Sequence, residues 1–150
     1  MTADMLAWTR QQIETRKALA ESASPWPWSA NAEHDEVLAV DGERVADGFA
    51  LSGNQLRNTV DHIVWNDPLK IIADCEADLT ILDLHEIAEV SAYERLCAGE
   101  KGQPFGCRLC HEHDGITVGW GICDTLRAVA SRYRHRPGYL PEWAPEGATP

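Results

Sequence analysis

A chain of 150 residues with a formal net charge of -11 is most simply one domain, long enough to hide roughly 70% of its unfolded surface without staples. Hydrophobic residues at 44% and charged ones at 25% exclude the apolar-poor composition of a disordered segment. The acidic balance argues against a general nucleic-acid binder, which neutralises phosphate with clustered Lys and Arg, and suits solubility, a basic partner or nucleic-acid mimicry.

The opening MTADMLAWTRQQIETRK has no uninterrupted apolar run, so no secretory signal is expected. With no stretch of about 18 apolar residues, no membrane span is expected either. Five cysteines without an export signal point to a reducing cytoplasm, where thiols serve as metal ligands or core residues rather than disulfides.

From Asp4 to about Ser22 good helix formers predict a first helix, with Leu6, Ile13 and Ala20 a heptad apart and Trp8 and Leu19 near the same stripe. SPWPWSA breaks it, each Pro pushing its predecessor toward extended geometry, and the period of two puts Trp26 and Trp28 on one side, packed against a hairpin. In EVLAVDGERVADGFAL, Asp41-Gly42 between two apolar-rich runs predicts that hairpin, with strands near 36–40 and 43–47, and a third near 49–52. SGNQLRN reads as a polar loop.

The stretch from Val60 to Leu96 reads as the longest helical region, with Asn66 or Asp67 as cap and Pro68 at the first helical position. Ile71, Ile72, Cys75, Leu79 and Leu82 mark its buried stripe, with Cys75 as core. From Ile71 through Glu94 seven acidic residues and no Lys or Arg leave a solvated or docking face. After Cys123, DTLRAVASRYRHR predicts a final helix burying Leu126, Val129, Ala130 and Tyr133. Arg132, Arg134 and Arg136 gather at its carboxyl end, as the helix dipole favours, to contact phosphate, to complement the acidic helix across a packed or dimeric interface, or simply to sit in water. Tyr139, Leu140 and Trp143 are expected to pack back onto the body before a flexible tail, 144–150.

The chemistry concentrates in FGCRLCHEHDG, Phe105 to Gly115. C-x-x-C-H is the string to which c-type haem is attached, but that assembly belongs to an exported, oxidising setting, and Met1 and Met5 are poor second axial ligands. Zinc fits better. Cys107 and Cys110, two residues apart in a turn that Gly106 loosens, can aim both thiolates at one tetrahedral ion. Cys123, separated from Cys110 by twelve residues and at the start of a helix, adds a third soft ligand whose thiolate the helix amino end favours. For the fourth, His85 beside the buried stripe of the long helix competes with Cys97, His111 and His113; His85 would tie the long helix to the knuckle and the last helix.

Across most of its length the chain resembles an uncharacterised family of small actinobacterial and actinophage proteins, a domain of unknown function. The resemblance rests on SPWPW, DHIVWNDPLKII, ILDLHE, FGCRLCH and above all CDTLRAVASRYRHRPGYLPEW, similar to the pattern C-x-T-L-R-x-L-A-x-x-Y-x-x-H-P-x-Y-x-x-E-W. Arg136, inserted between His135 and Pro137, is a departure. The resemblance implies a zinc role for His85, Cys107, Cys110 and Cys123 and brings no established activity.

A nucleobase deaminase needs H-x-E followed by P-C-x-x-C around a metal-bound water. Here Glu86 is adjacent to His85, Ile87 occupies the required place, and Cys123 would fill the open position. Asp61-His62 and Asn66-Asp67 are explained as well by helix capping as by acid/base chemistry, and the six tryptophans are mostly core. The reading is a single zinc-stabilised α+β domain over 1–143: a helix, a small antiparallel hairpin sheet, a long central helix, a zinc knuckle and a closing helix. Its expected role is a cytoplasmic, non-enzymatic accessory protein of phage or actinobacterial origin that binds a protein partner, with a homodimer possible and no membrane. A zinc hydrolase of nucleotides or nucleobases is the alternative, and a nucleic-acid-binding knuckle a third.

Overall fold

The computed structural model describes residues 2–99, 102–110, 120–145 and 147. Helices and two small antiparallel sheets occupy them, the α+β class expected from the sequence. The chain divides into two compact units, one of Glu14–Glu76 and the other of Met1–Ile13 with Ala77–Pro150. Among the described residues no helix is long and apolar enough to cross a membrane.

In the unit Glu14–Glu76, the sheet order is β1 (Ser29–Ala30), β2 (Glu36–Leu38), β3 (Arg44–Asp47). The Asp41-Gly42 turn forms as expected. Gly42 sits at φ 85°, where only glycine is unstrained, and its N–H donates to the Ala39 carbonyl at 2.9 Å. The third strand is β1, paired with β2 through Ser29↔Leu38 and Ala30↔Val37, rather than residues 49–52, which form no strand. The Pro-Trp segment runs into that strand with Trp26 and Trp28 half-buried.

SGNQLRN is not a loop but the start of α2 (Gly53–Trp65): the Ser52 hydroxyl caps it by accepting from the Gln55 N–H at 3.3 Å. Asp67 then caps α3 (Pro68–Leu84), accepting from the Lys70 N–H at 2.9 Å. Val37, Val60 and Cys75 are fully buried in this unit.

In the other unit, the first turns of α1 (Thr2–Glu21) bury Met5, Thr9 and Ile13, four residues apart. Of the expected stripe, Ile13 and Ala20 are buried, Leu6 is half-buried and Leu19 is exposed. The buried Thr9 hydroxyl donates to the Met5 carbonyl at 2.8 Å, satisfying itself within the helix. The long helical region expected to reach Leu96 ends at Leu84. It gives way to β4 (Ile87–Glu89), a Ser91-capped α4 (Ala92–Ala98) and then β5 (Phe105–Cys107). Strand pairing overrides the helix propensity of Ile87–Glu89, which is only a few tenths of a kcal/mol per residue.

The closing α5 (Asp124–Ser131) buries Leu126, Val129 and Ala130 as expected, with Tyr133 just beyond it. The tail returns to the body. Trp143 is buried, with its ring centroid 5.2 Å from Trp8 and 5.8 Å from Tyr139, and the Trp8 indole N–H donates to the Pro137 carbonyl at 3.3 Å.

Some of the acidic residues pair with basic ones inside their own unit: Lys17–Glu76 at 2.9 Å and Lys70–Asp74 at 2.6 Å in one, Arg10–Asp83 at 2.5 Å in the other. Asp78, one of the acidic residues read as a solvated or docking face, is fully buried and ion-paired to Arg132. The final-helix arginine therefore meets the acidic helix within the same chain.

Candidate metal centre

The β4–β5 register assembles the site. Ile87 pairs with Cys107 and Ala88 with Gly106, and the Arg108 N–H donates to the Glu86 carbonyl at 2.9 Å. His85, two residues ahead of Ile87 and half-buried on the turn that closes α3, is thereby delivered to the cysteine end of β5. Its own N–H still bonds the Ile81 carbonyl at 3.1 Å, which fixes the turn to the last helical residues.

On its other side β5 meets Trp120 through a bridge to Gly106, and the Gly121 N–H donates to the Phe105 carbonyl at 2.7 Å. Gly121, at φ 68°, turns the chain there. Two residues later Cys123 takes the N-cap position of α5. One short strand thus aligns the segment after α3 and the segment before α5.

The result is a compact cluster. His85 Nδ1 lies 3.4 Å from Cys107 Sγ and 3.5 Å from both Cys110 Sγ and Cys123 Sγ. The ligand atoms of His85, Cys107, Cys110 and Cys123 all lie within 4.8 Å of one another. An ion with Zn–N near 2.0 Å and Zn–S near 2.3 Å in tetrahedral geometry requires an N···S edge of about 3.5 Å. The spacing fits, and the four residues could hold a metal ion.

Electrostatics point the same way. Burial, together with hydrogen bonding to Cys107 and repulsion by the neighbouring thiols, pushes the Cys110 thiol up to about 12, and burial pushes the Cys123 thiol up as well. The Cys110 and Cys123 thiols therefore resist becoming anionic. A divalent cation reverses that balance.

Of the other ligand candidates, Cys97 is exposed on α4 and outside the cluster, and His111 and His113 lie outside the described residues. Cys75 is buried core, as expected. Gly106, read from the sequence as loosening the turn, instead lies in β5 between Ala88 and Trp120, and sequence reasoning missed two further residues that position the ligands, Ile87 and Gly121. The Asp61-His62 pair does not form an acid/base cluster of its own; Asp61 instead faces His34, with Oδ1 2.7 Å from Nδ1.

No curated protein and no solved structure matches the chain. Its relationship is visible at the level of the family, with nearly the whole sequence aligned and the cluster inside the matched span. Residues 2–145 match DUF6221, a family of unknown function, and the chain belongs to it.

Proposed function

We propose that the chain is a small non-enzymatic accessory protein of phage or actinobacterial origin that acts by binding a protein partner, with a structural zinc ion at His85, Cys107, Cys110 and Cys123. The observation that supports it most is the closed ligand set: one imidazole nitrogen at 3.4–3.5 Å from each of three sulfurs. Three thiolates and an imidazole select a soft or borderline ion, and zinc takes this set without redox chemistry. Structural zinc sites are closed by four protein ligands, whereas hydrolytic ones keep a position for water. Cys123 fills that position, so the hydrolase reading has no place for its nucleophile.

A role in binding is supported by the large apolar side chains left at the surface, among them Phe49 at 87% and Leu96 at 80% exposure. The net charge of -11 favours a protein partner over a nucleic acid.

The test is the metal. Protein purified under reductant is expected to carry one zinc per chain, and cobalt in its place should give the visible bands of a tetrahedral ion with the thiolate charge transfer of three sulfurs. A cobalt spectrum of a five- or six-coordinate ion, or turnover of nucleosides by the zinc form, would replace this reading with the hydrolase.

A further inference from the structure

We propose that Cys107 and Cys110 are a site of oxidation by hydroperoxides, closing to a disulfide and releasing the metal. The inference rests on the metal reading above and adds to it a reactant and a second state of the centre.

Exposure and spacing carry it. Cys110 is partly exposed, whereas Cys107 and Cys123 are buried, so one sulfur of the cluster meets small solutes first. Its partner lies three residues back, at the end of β5 where the strand enters that turn, with the two sulfurs within 4.8 Å, so a bond between them needs only local tightening. Cys123 is held differently: it starts α5, its carbonyl accepts from the Arg127 N–H at 3.2 Å, and drawing it to another sulfur would disturb the helix. Metal coordination keeps the thiols deprotonated, and the thiolate is the form that attacks peroxide.

The electrons balance within the pair. The Cys110 thiolate attacks one oxygen of the hydroperoxide, the O–O bond breaks, and Cys110 becomes a sulfenic acid as an alkoxide or hydroxide leaves. The Cys107 thiolate then attacks the Cys110 sulfur, the S–O bond breaks, and hydroxide departs as the S–S bond forms. Two thiolates have lost two electrons and the peroxide has gained them; water protonates the departing anions. The ion, left with His85 and Cys123 alone, dissociates.

The experiment uses the full chain loaded with zinc, freed of reductant and treated with hydrogen peroxide. Released zinc is read with a chromogenic chelator, thiols are counted, and linked peptides are identified by mass spectrometry. One zinc freed and two centre thiols lost per chain are expected, with Cys107 linked to Cys110, and reductant with added zinc should restore the loaded form. Cys97→Ser, outside the cluster, should release zinc as the parent does while removing the exposed bystander thiol from the count. Zinc retained while Cys97 of the parent is oxidised overturns this inference and leaves the metal reading intact. Zinc absent before peroxide is added overturns both, and a disulfide mapped to Cys123 overturns the pairing.

Discussion

If one ion holds the centre only in the folded state, stability must depend on free zinc by mass action. At a free concentration a thousandfold above its dissociation constant, a ligand of the native state adds about 4.1 kcal/mol. For a chain of this length each kcal/mol moves the thermal midpoint by roughly 2–4 °C, so loading should raise it by about 8–16 °C over the chelated protein. Each further tenfold in free zinc adds about 1.4 kcal/mol, roughly 3–6 °C more. The assay is thermal unfolding followed by circular dichroism in a series of metal buffers. Cys123→Ser, which removes a sulfur 3.5 Å from His85 Nδ1, should flatten the dependence, whereas Cys97→Ser, an exposed position outside the cluster, should keep it. A midpoint indifferent to free zinc, or a Cys123→Ser protein with the parent's full slope, would refute the reasoning.

Arg132→Met leaves the buried Asp78 carboxylate without this cation and should cost about 2–4 kcal/mol in denaturant unfolding, toward the lower end because the Arg132 side chain is 54% exposed. The double variant Asp78→Leu with Arg132→Met should cost less than the two singles added together, and simple additivity would show that the pair is not coupled. Leu126→Ala, at a fully buried position, should cost about 2–5 kcal/mol by lost transfer energy and residual cavity, and a smaller loss would place the core elsewhere. Zinc affinity should strengthen as pH rises. A Cys110 thiol raised from 9.0 to about 12 keeps its proton in the metal-free protein at pH values below that, so coordination must expel it, and affinity gains about tenfold per pH unit per proton released. Calorimetry in buffers of differing ionisation enthalpy counts those protons; a count of zero would contradict a thiolate site.

What the sequence disclosed was chemistry written at short range. Asp41-Gly42 encodes its turn because φ > 0 is needed there, and C-x-x-C with Cys123 encodes soft ligands at knuckle spacing. Two boundaries were equally local and passed unread. Ser52 with Gln55 and Ser91 with Glu94 are S-x-x-Q and S-x-x-E caps, and the structure uses both to begin helices. The strand Ile87–Glu89 was a different matter: three residues in a run of good helix formers, decided by a partner sixteen or more positions away that no periodicity announces. Asp78 was misplaced for a similar reason, since a carboxylate reads as surface until its arginine arrives from the far end of the chain.

The distribution of the candidate ligands says where a bound ion would act, in one unit rather than the other. Around the centre the secondary structure is short: β4 and β5 share three residue pairs and α5 has 8 residues, below the length at which a two-stranded sheet or an isolated helix is stable in water. Each ligand comes from a separate local piece, namely the turn after α3, the end of β5, the turn beyond it and the start of α5. One bound ion would therefore add cross-links to pieces otherwise joined by a few backbone hydrogen bonds. The unit of Glu14–Glu76 contributes none of the four ligands, and its hairpin and α2 are built around Val37 and Val60. Chelation should consequently be felt unequally. Amide hydrogen exchange on the chelated protein should rise at residues 87–90, 105–110 and 120–131 while residues 36–47 keep their protection. Equal acceleration in both regions would show that the ion stabilises the chain as a whole rather than the segments it joins.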